Sequence, residues 1–282
     1  MSLAIAVEGG GLRGAFAVGV LEQLAELLEH PVAHVLATSS GAPNAAYFAT
    51  GQIADGVRIW EQRTHGSQLV DFGNLVRADP VMKIDDLVAV IRSEIPLDAA
   101  RLRGSSTSLH IAVTEVESGR NRVIQATPDN VFSLLQAAMA IPFAYGKVVT
   151  VDDGRYIDGG FEAPLPIREA LELEPGKILA ILTKPRGHRR RKNALADWLA
   201  CRSYGEYPNT RAAICEKWMR YNATMDLIEE LEAAGRVLAI RPEVELPVSR
   251  MSRSKGRILA SIELGREIVR QSAAQLRAFV HA

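Results

Sequence analysis

Three short segments of the chain carry residues whose types and spacing could do chemistry. In Ala37-Thr38-Ser39-Ser40-Gly41 an apolar run gives way to a serine with small residues two positions before and two after it. That is the spacing of a nucleophile elbow, G-x-S-x-G, a strained strand-to-helix turn that presents a serine above a sheet. Gly41 fills the second small position. Ala37 fills the first, a departure from glycine by one methyl group. Centred on Ser40, the small neighbours are Thr38 and Ala42, a poorer match, so Ser39 is the candidate nucleophile. Pro43 falls in the first helical turn, where a missing N–H does no harm. A plain helix cap is the bland alternative for either serine.

The second segment, Glu8-Gly9-Gly10-Gly11-Leu12-Arg13-Gly14, joins an apolar run to a helical one. Gly9, Gly11 and Gly14 match G-x-G-x-x-G, a dinucleotide fingerprint, which also requires an acid about 20 residues on to hold a ribose. The next strand ends in hydroxyls, Thr38-Ser39-Ser40, and Asp55 lies too far along in a helical stretch. A nucleotide-binding oxidoreductase is therefore the weaker reading. Consecutive glycines also let N–H groups converge at a helix N-terminus, where the dipole favours negative charge, and this is how an oxyanion hole is built.

The third segment, Tyr156-Ile157-Asp158-Gly159-Gly160, places a carboxylate at the end of a short strand. Asp-Gly alone is a common turn. A base for Ser39 could be Asp158 itself or a histidine beyond it, as in the Ser-Asp-His order of α/β-hydrolases. Only His188 and His281 follow Asp158. His281 is penultimate and expected to fray. His188 lies in an Arg/Lys-rich loop, whose cations would favour its neutral form.

These segments need a scaffold of alternating strands and helices, and the periodicity supplies one. Strands are expected at Leu3–Val7, Val32–Thr38, Lys177–Thr183 and Arg236–Arg241, with hairpins around Glu117–Arg120 and Asp152–Gly154. Helices are expected at about 14–29, 41–49, 53–64, 80–93, 131–140, 166–172, 194–234 and 256–280. The fold class is α/β, with a mainly parallel sheet covered on both faces. No linker divides the chain.

The 282 residues balance 33 Lys and Arg against 33 Asp and Glu, which disfavours a nucleic-acid partner. Cys201 and Cys215 cannot form a disulfide scaffold or a paired zinc site and read as reduced thiols. The six histidines pair with no acid or cysteine at ligand spacing, so no metal is expected. The first residues lack a signal-peptide pattern, and no apolar run approaches the ~20 residues of a membrane span. A cytoplasmic protein is expected, and peripheral contact with a membrane surface is compatible with that.

Taken together, the segments resemble the patatin-like phospholipase family, in its bacterial branch of predicted esterases. Glu8–Gly14 looks like the family's Gly-rich oxyanion block, and Thr38–Ala46 like its elbow, usually written G-T-S-A-G-A-x-N-A-A. Ala137–Pro142 looks like its A-S-x-A-x-P block and Asp158-Gly159-Gly160 like its D-G-[GA] block. The match is strongest over residues 3–183. The resemblance implies a three-layer α/β/α patatin-like domain over residues 1–282, with a catalytic core at about 3–183 and a C-terminal part at 184–282. It implies a Ser39–Asp158 dyad with no histidine and no cofactor, acting on lipid esters through an acyl-enzyme. The oxyanion N–H groups would come from Gly10, Gly11 and Leu12, with Arg13 shaping the turn and Gly9, Gly14, Ala37, Gly41, Gly159 and Gly160 supporting it. Ala138-Met139 replaces a small hydroxyl pair of the third block, so an altered acyl pocket is expected. A catalytically silent lipid-binding protein and an acyltransferase are the near relatives of this reading.

Lys184, Arg186, Arg189, Arg190, Arg191 and Lys192 form a local basic excess with no acid among them. Such a run reads either as a solvated loop or as a dock for anionic lipid.

Overall fold

A computed structural model describes residues 2–29 and 31–281. Eight strands form one sheet: β1 (Leu3–Val7), β2 (Val32–Thr38), β3 (Ser108–Glu115), β4 (Asn121–Gln125), β5 (Val149–Val151), β6 (Gly154–Asp158), β7 (Lys177–Ile181) and β8 (Val237–Ile240). Their order is β5-β6-β3-β2-β1-β7-β8, with β4 also on β3. The pairs β1–β2, β2–β3, β1–β7 and β7–β8 are parallel, whereas β3–β4, β3–β6 and β5–β6 are antiparallel.

Successive residues of a strand face opposite sides of the sheet. On β1, Leu3, Ile5 and Val7 enter one core, and Ala4 and Ala6 enter the other. The larger core packs against α1 (Gly14–Leu27), α2 (Gly41–Ala49), α3 (Ile53–Arg63), α5 (Ile84–Ser93), α6 (Val131–Ala138) and α10 (Lys255–Gln271). The smaller packs against α7 (Ile167–Glu172) and α9 (Pro208–Ala233). With both faces covered, the architecture is the three-layer α/β/α arrangement expected. In chain order α4 (Asn74–Arg77), which hydrophobic spacing did not predict, falls between α3 and α5, and α8 (Ala194–Cys201) falls between β7 and α9.

Several boundaries differ from the periodicity. The helix expected from Pro80 starts at Ile84, and the terminal helix breaks at Ser272 into α10 and α11 (Ala273–His281), which holds His281 in a helix. The 194–234 stretch holds helices as expected, α8 and α9, separated by a turn before Pro208, which starts α9. Cys201 and Cys215 are free thiols whose sulfurs lie 3.6 Å apart.

Two features of the sheet and its helices position the site. Strand β4 pairs with residues 110–114 of β3 and β2 with residues 108–112, so they take opposite edges. Strand β6 pairs with residues 113–115, overlapping β4, and must therefore share the edge taken by β2. The two strands meet head to head: Thr38 is registered on Ala112 and Asp158 on the next residue, Val113. The second feature is the seating of α10 on α1. A side-chain carbon at Gly19 would stand 2.1 Å from the Ile262 carbonyl, and one at Gly265 would stand 2.3 Å from the Phe16 carbonyl. This close approach holds the segment before α10 over the glycine-rich turn.

Candidate active site

Ser39 follows β2 and is a non-glycine residue with φ of +54°. That left-handed conformation is strained for an L side chain and is the hallmark of an elbow. Its small surroundings are a packing requirement: a Cβ on Gly9 would stand 2.7 Å from the Ser39 Cβ. Gly41 opens α2 against Val7. Ala37, the larger residue of the elbow, is fully buried beside Val7 in the β1–β2 register. The Thr38 hydroxyl donates to the Ala163 carbonyl at 2.8 Å and fixes the end of β2.

The Ser39 hydroxyl donates to Asp158 Oδ2 at 2.6 Å. The other carboxylate oxygen accepts the Gly160 N–H at 2.7 Å, and the Thr114 hydroxyl holds the Asp158 carbonyl at 3.0 Å. Gly159 follows in a tight turn against the Ala112 carbonyl. Both members of the pair are buried. Burial pushes the Asp158 carboxyl up to about 6, against the opposing pull of the Ser39 and Gly160 hydrogen bonds and of Arg250 and Arg190. A carboxylate so shifted is a better proton acceptor than an ordinary aspartate.

The three amides of the glycine-rich turn are not equivalent. The Gly10 N–H donates to the Ser40 hydroxyl at 3.1 Å. The Leu12 N–H donates to the Arg250 carbonyl at 3.0 Å, so the expectation that Leu12 offers its amide to a substrate does not fit this arrangement. Among the described residues no acceptor is found for the Gly11 N–H. Gly11 has φ of +59°, and a Cβ there would sit 2.6 Å from the Arg250 carbonyl. Arg13 is buried and its Nε donates to the Gly10 carbonyl at 3.2 Å, which braces the turn. Gly14 starts α1, and its carbonyl accepts from the Asn44 amide at 2.9 Å.

His188 stands apart from this pair. Its Nδ1 faces Glu245 Oε1 at 3.6 Å and its ring meets Tyr221 edge-on. Burial, with help from Lys184, lowers its pKa and favours the neutral ring. Among the described residues, no group of three or more His, Cys, Asp or Glu side chains could hold a metal. No described helix is long and apolar enough to cross a membrane.

The basic excess of residues 184–193 is largely cancelled. Lys184 pairs with Glu245, Arg186 with Glu232, Arg189 with Asp226 and Glu229, and Arg190 stands 3.8 Å from buried Glu8. The acids come mostly from α9, far along the chain, so the run looked uncompensated when read locally. Arg191 and Lys192 of the run stay exposed.

Sequence reasoning missed Lys217 and Arg250 beside the pair, and named Glu8 and Arg190 only in the glycine-rich block and the basic run. Arg190, Lys217 and Arg250 line a cavity of about 260 Å³ together with Ser39, Asp158 and Gly11. Glu8 sits beneath it, accepting from the Thr183 N–H and hydroxyl at 2.6 and 2.9 Å. An acid closing a wholly buried strand was the signal available for Glu8; Lys217 and Arg250 had none. A second, apolar cavity leads from Ser39 and Gly11 between Trp60, Met82, Leu87 and Met139, and its open volume is only about 30 Å³.

Known proteins match this chain in two parts. A family model for patatin-like phospholipases matches residues 5–171, and one for a domain of unknown function matches residues 207–281. An uncharacterized Escherichia coli protein, YjjU, is 29% identical over 186 residues, which is 65% of this chain. The aligned region spans about half of that relative, 52% of its length. The structure of VipD from Legionella pneumophila superposes with a TM-score of 0.52 at 15% identity, covering 97% of this chain and 67% of that one, a likeness of fold. The first match covers more than half of the chain and includes the elbow, the glycine-rich turn and Asp158: the protein belongs to the patatin-like phospholipase family.

Proposed function

We propose that the protein hydrolyses lipid acyl esters with Ser39 as nucleophile and Asp158 as general base. The observation that carries this reading is the 2.6 Å hydrogen bond from the Ser39 hydroxyl, held in a strained elbow, to a buried carboxylate. As Ser39 Oγ attacks the ester carbonyl, its proton passes to Asp158 Oδ2. The negative charge that develops on the carbonyl oxygen is received by the Gly11 N–H, and by Gly10 if the Ser40 hydroxyl gives it up. Collapse of the tetrahedral intermediate returns the proton to the leaving alcohol and leaves an acyl group on Ser39. Water, deprotonated by the same carboxylate, then releases the fatty acid.

The apolar cavity beside Ser39 suits the acyl chain. Met82 and Met139, unbranched and adaptable, are the side chains best able to yield to it. The reading treats residues 1–282 as one catalytic unit, because the Arg250 segment borders both the turn and the cavity. Hydrolysis of a lysolipid, followed by fatty-acid release, tests it. Wild-type protein should turn over and Ser39→Ala should not. Equal rates in the two would remove the reading, and lipid binding without turnover in wild type would favour the catalytically silent alternative.

A further inference from the structure

Beyond the ester-cleaving pair lies a second chamber, of about 580 Å³, that shares Arg190, Lys217 and Arg250 with the catalytic cavity. Its walls carry seven Lys and Arg side chains and two carboxylates, Asp197 and Glu245. Several of the cations are already satisfied: Lys217 pairs with Asp197, Lys184 with Glu245 and Arg189 with α9. Of the other four, Arg191 is exposed, and three keep unfilled capacity. Arg250 forms no close ion pair among the described residues and feels the Glu8 and Asp158 carboxylates only at longer range. Arg190 reaches Glu8 only at 3.8 Å and lies 3.7 Å over the Tyr221 ring. Arg13 is 5% exposed, and its Nη2 is buried with no hydrogen-bond partner. A buried guanidinium nitrogen without an acceptor costs free energy unless a ligand supplies one.

The three compartments run in series. The apolar cavity and the catalytic cavity share Ser39, Gly11 and Ile141, and the catalytic cavity opens into the basic chamber through the three shared cations. We propose that the basic chamber binds the anionic head group of the substrate, a phosphate monoester, through Arg250, Arg190 and Arg13. The assignment rests on the reading of Ser39 as the ester nucleophile, because that reading sets the order tail, ester, head. Guanidinium groups match phosphate oxygens in bidentate geometry, and a choline or other cationic head would meet like charge. Burial, and then the charge of Arg250, lower the Arg190 pKa to about 9; burial, and then the charge of Arg13, lower that of Arg250, so like charge bears on both guanidinium groups. An anion between them relieves that repulsion. Lys217 and Arg250 lie in the part of the chain matched only by a domain of unknown function, and Arg190 lies between the two matched regions. The chamber thus gives the C-terminal segment a substrate-selecting role.

Equilibrium binding of non-hydrolysable amphiphiles tests this without turnover. Dodecyl phosphate, dodecylphosphocholine and inorganic phosphate would each be titrated into wild type and Arg250→Gln. Arg250 holds the turn by its backbone carbonyl, so this side-chain change leaves that contact in place. Wild type should bind dodecyl phosphate about tenfold or more tighter than dodecylphosphocholine. Arg250→Gln should lose most of that difference. In wild type alone the preference should also shrink as salt is raised, so the test survives a variant that fails to fold. Equal affinity for the two amphiphiles overturns the proposal. Inorganic phosphate binding as tightly as dodecyl phosphate overturns the head-group assignment in favour of a free-anion site. Fluorophosphonate labelling reports separately on Ser39: its failure would sink the hydrolase reading and leave the binding result to stand on its own.

Discussion

The Arg250 carbonyl accepts the Leu12 N–H at 3.0 Å, so a residue from the C-terminal part of the chain holds the turn beside Ser39. The same carbonyl stands where a Gly11 side chain would go. The conformation that leaves the Gly11 amide without an acceptor therefore depends on both ends of the chain.

Gly11→Val should displace this amide. The clash at 2.6 Å is with backbone, and the positive φ disfavours any side chain. Loss of one oxyanion donor costs about 10²–10³ in kcat. Steady-state kinetics of ester hydrolysis reads the effect, and normal turnover in this variant would take the turn out of the site.

Asp158→Asn should lower kcat by several orders of magnitude and raise stability at neutral pH. The buried carboxyl has a folded pKa of about 6 against an ordinary 3.8. The folded form then holds the proton more tightly than the unfolded chain does. This group's contribution to stability is present in full below about pH 4 and is lost as pH rises through 6. Thermal melting at pH 8 should place the variant above wild type by roughly 5 °C. The gap should close at about pH 4. Wild-type kcat/KM should rise through pH 6 as Asp158 ionises; a flat profile would mean another group accepts the proton.

His188→Ala should leave fluorophosphonate labelling of Ser39 within a few fold of wild type. The ring faces Glu245 and Tyr221 and makes no hydrogen bond to the Ser–Asp pair. A loss of labelling on the scale of Asp158→Asn would turn the pair into a triad.

Met139→Ala should shift the preference toward longer acyl chains. Met139 is 5% exposed and walls the nearly closed apolar cavity. Each additional buried methylene is worth about 0.8 kcal/mol, so two more would raise relative kcat/KM roughly tenfold. An unchanged chain-length profile over a lysolipid series would place the acyl chain elsewhere.

The elbow, the glycine run and Asp158-Gly159-Gly160 were legible in the sequence because each is a local device. Its signal lies in residues within a few positions of one another. The alternation of strands and helices was legible for the same reason. What brings Ser39 to Asp158 was not legible, because the sharing of one β3 edge by β2 and β6 is a property of sheet pairing between distant segments. Charge followed the same rule. Six cations in a short loop looked like an excess until α9 folded Asp226, Glu229 and Glu232 against Arg186 and Arg189. The Leu12 amide looked free because its acceptor comes from Arg250, in a segment with no motif. The break at Ser272 escaped notice because both halves of the terminal helix keep helical spacing across it.

The central claim is that Ser39, and not its neighbour, is the reactive hydroxyl. Ser40 instead accepts the Gly10 N–H through its hydroxyl oxygen. Reaction with a fluorophosphonate probe, followed by mass-spectrometric mapping of the modified peptide, tests this most directly. The account predicts a single adduct on Ser39, absent in Ser39→Ala and retained in Ser40→Ala. An adduct on Ser40, or labelling that survives Ser39→Ala, would contradict it.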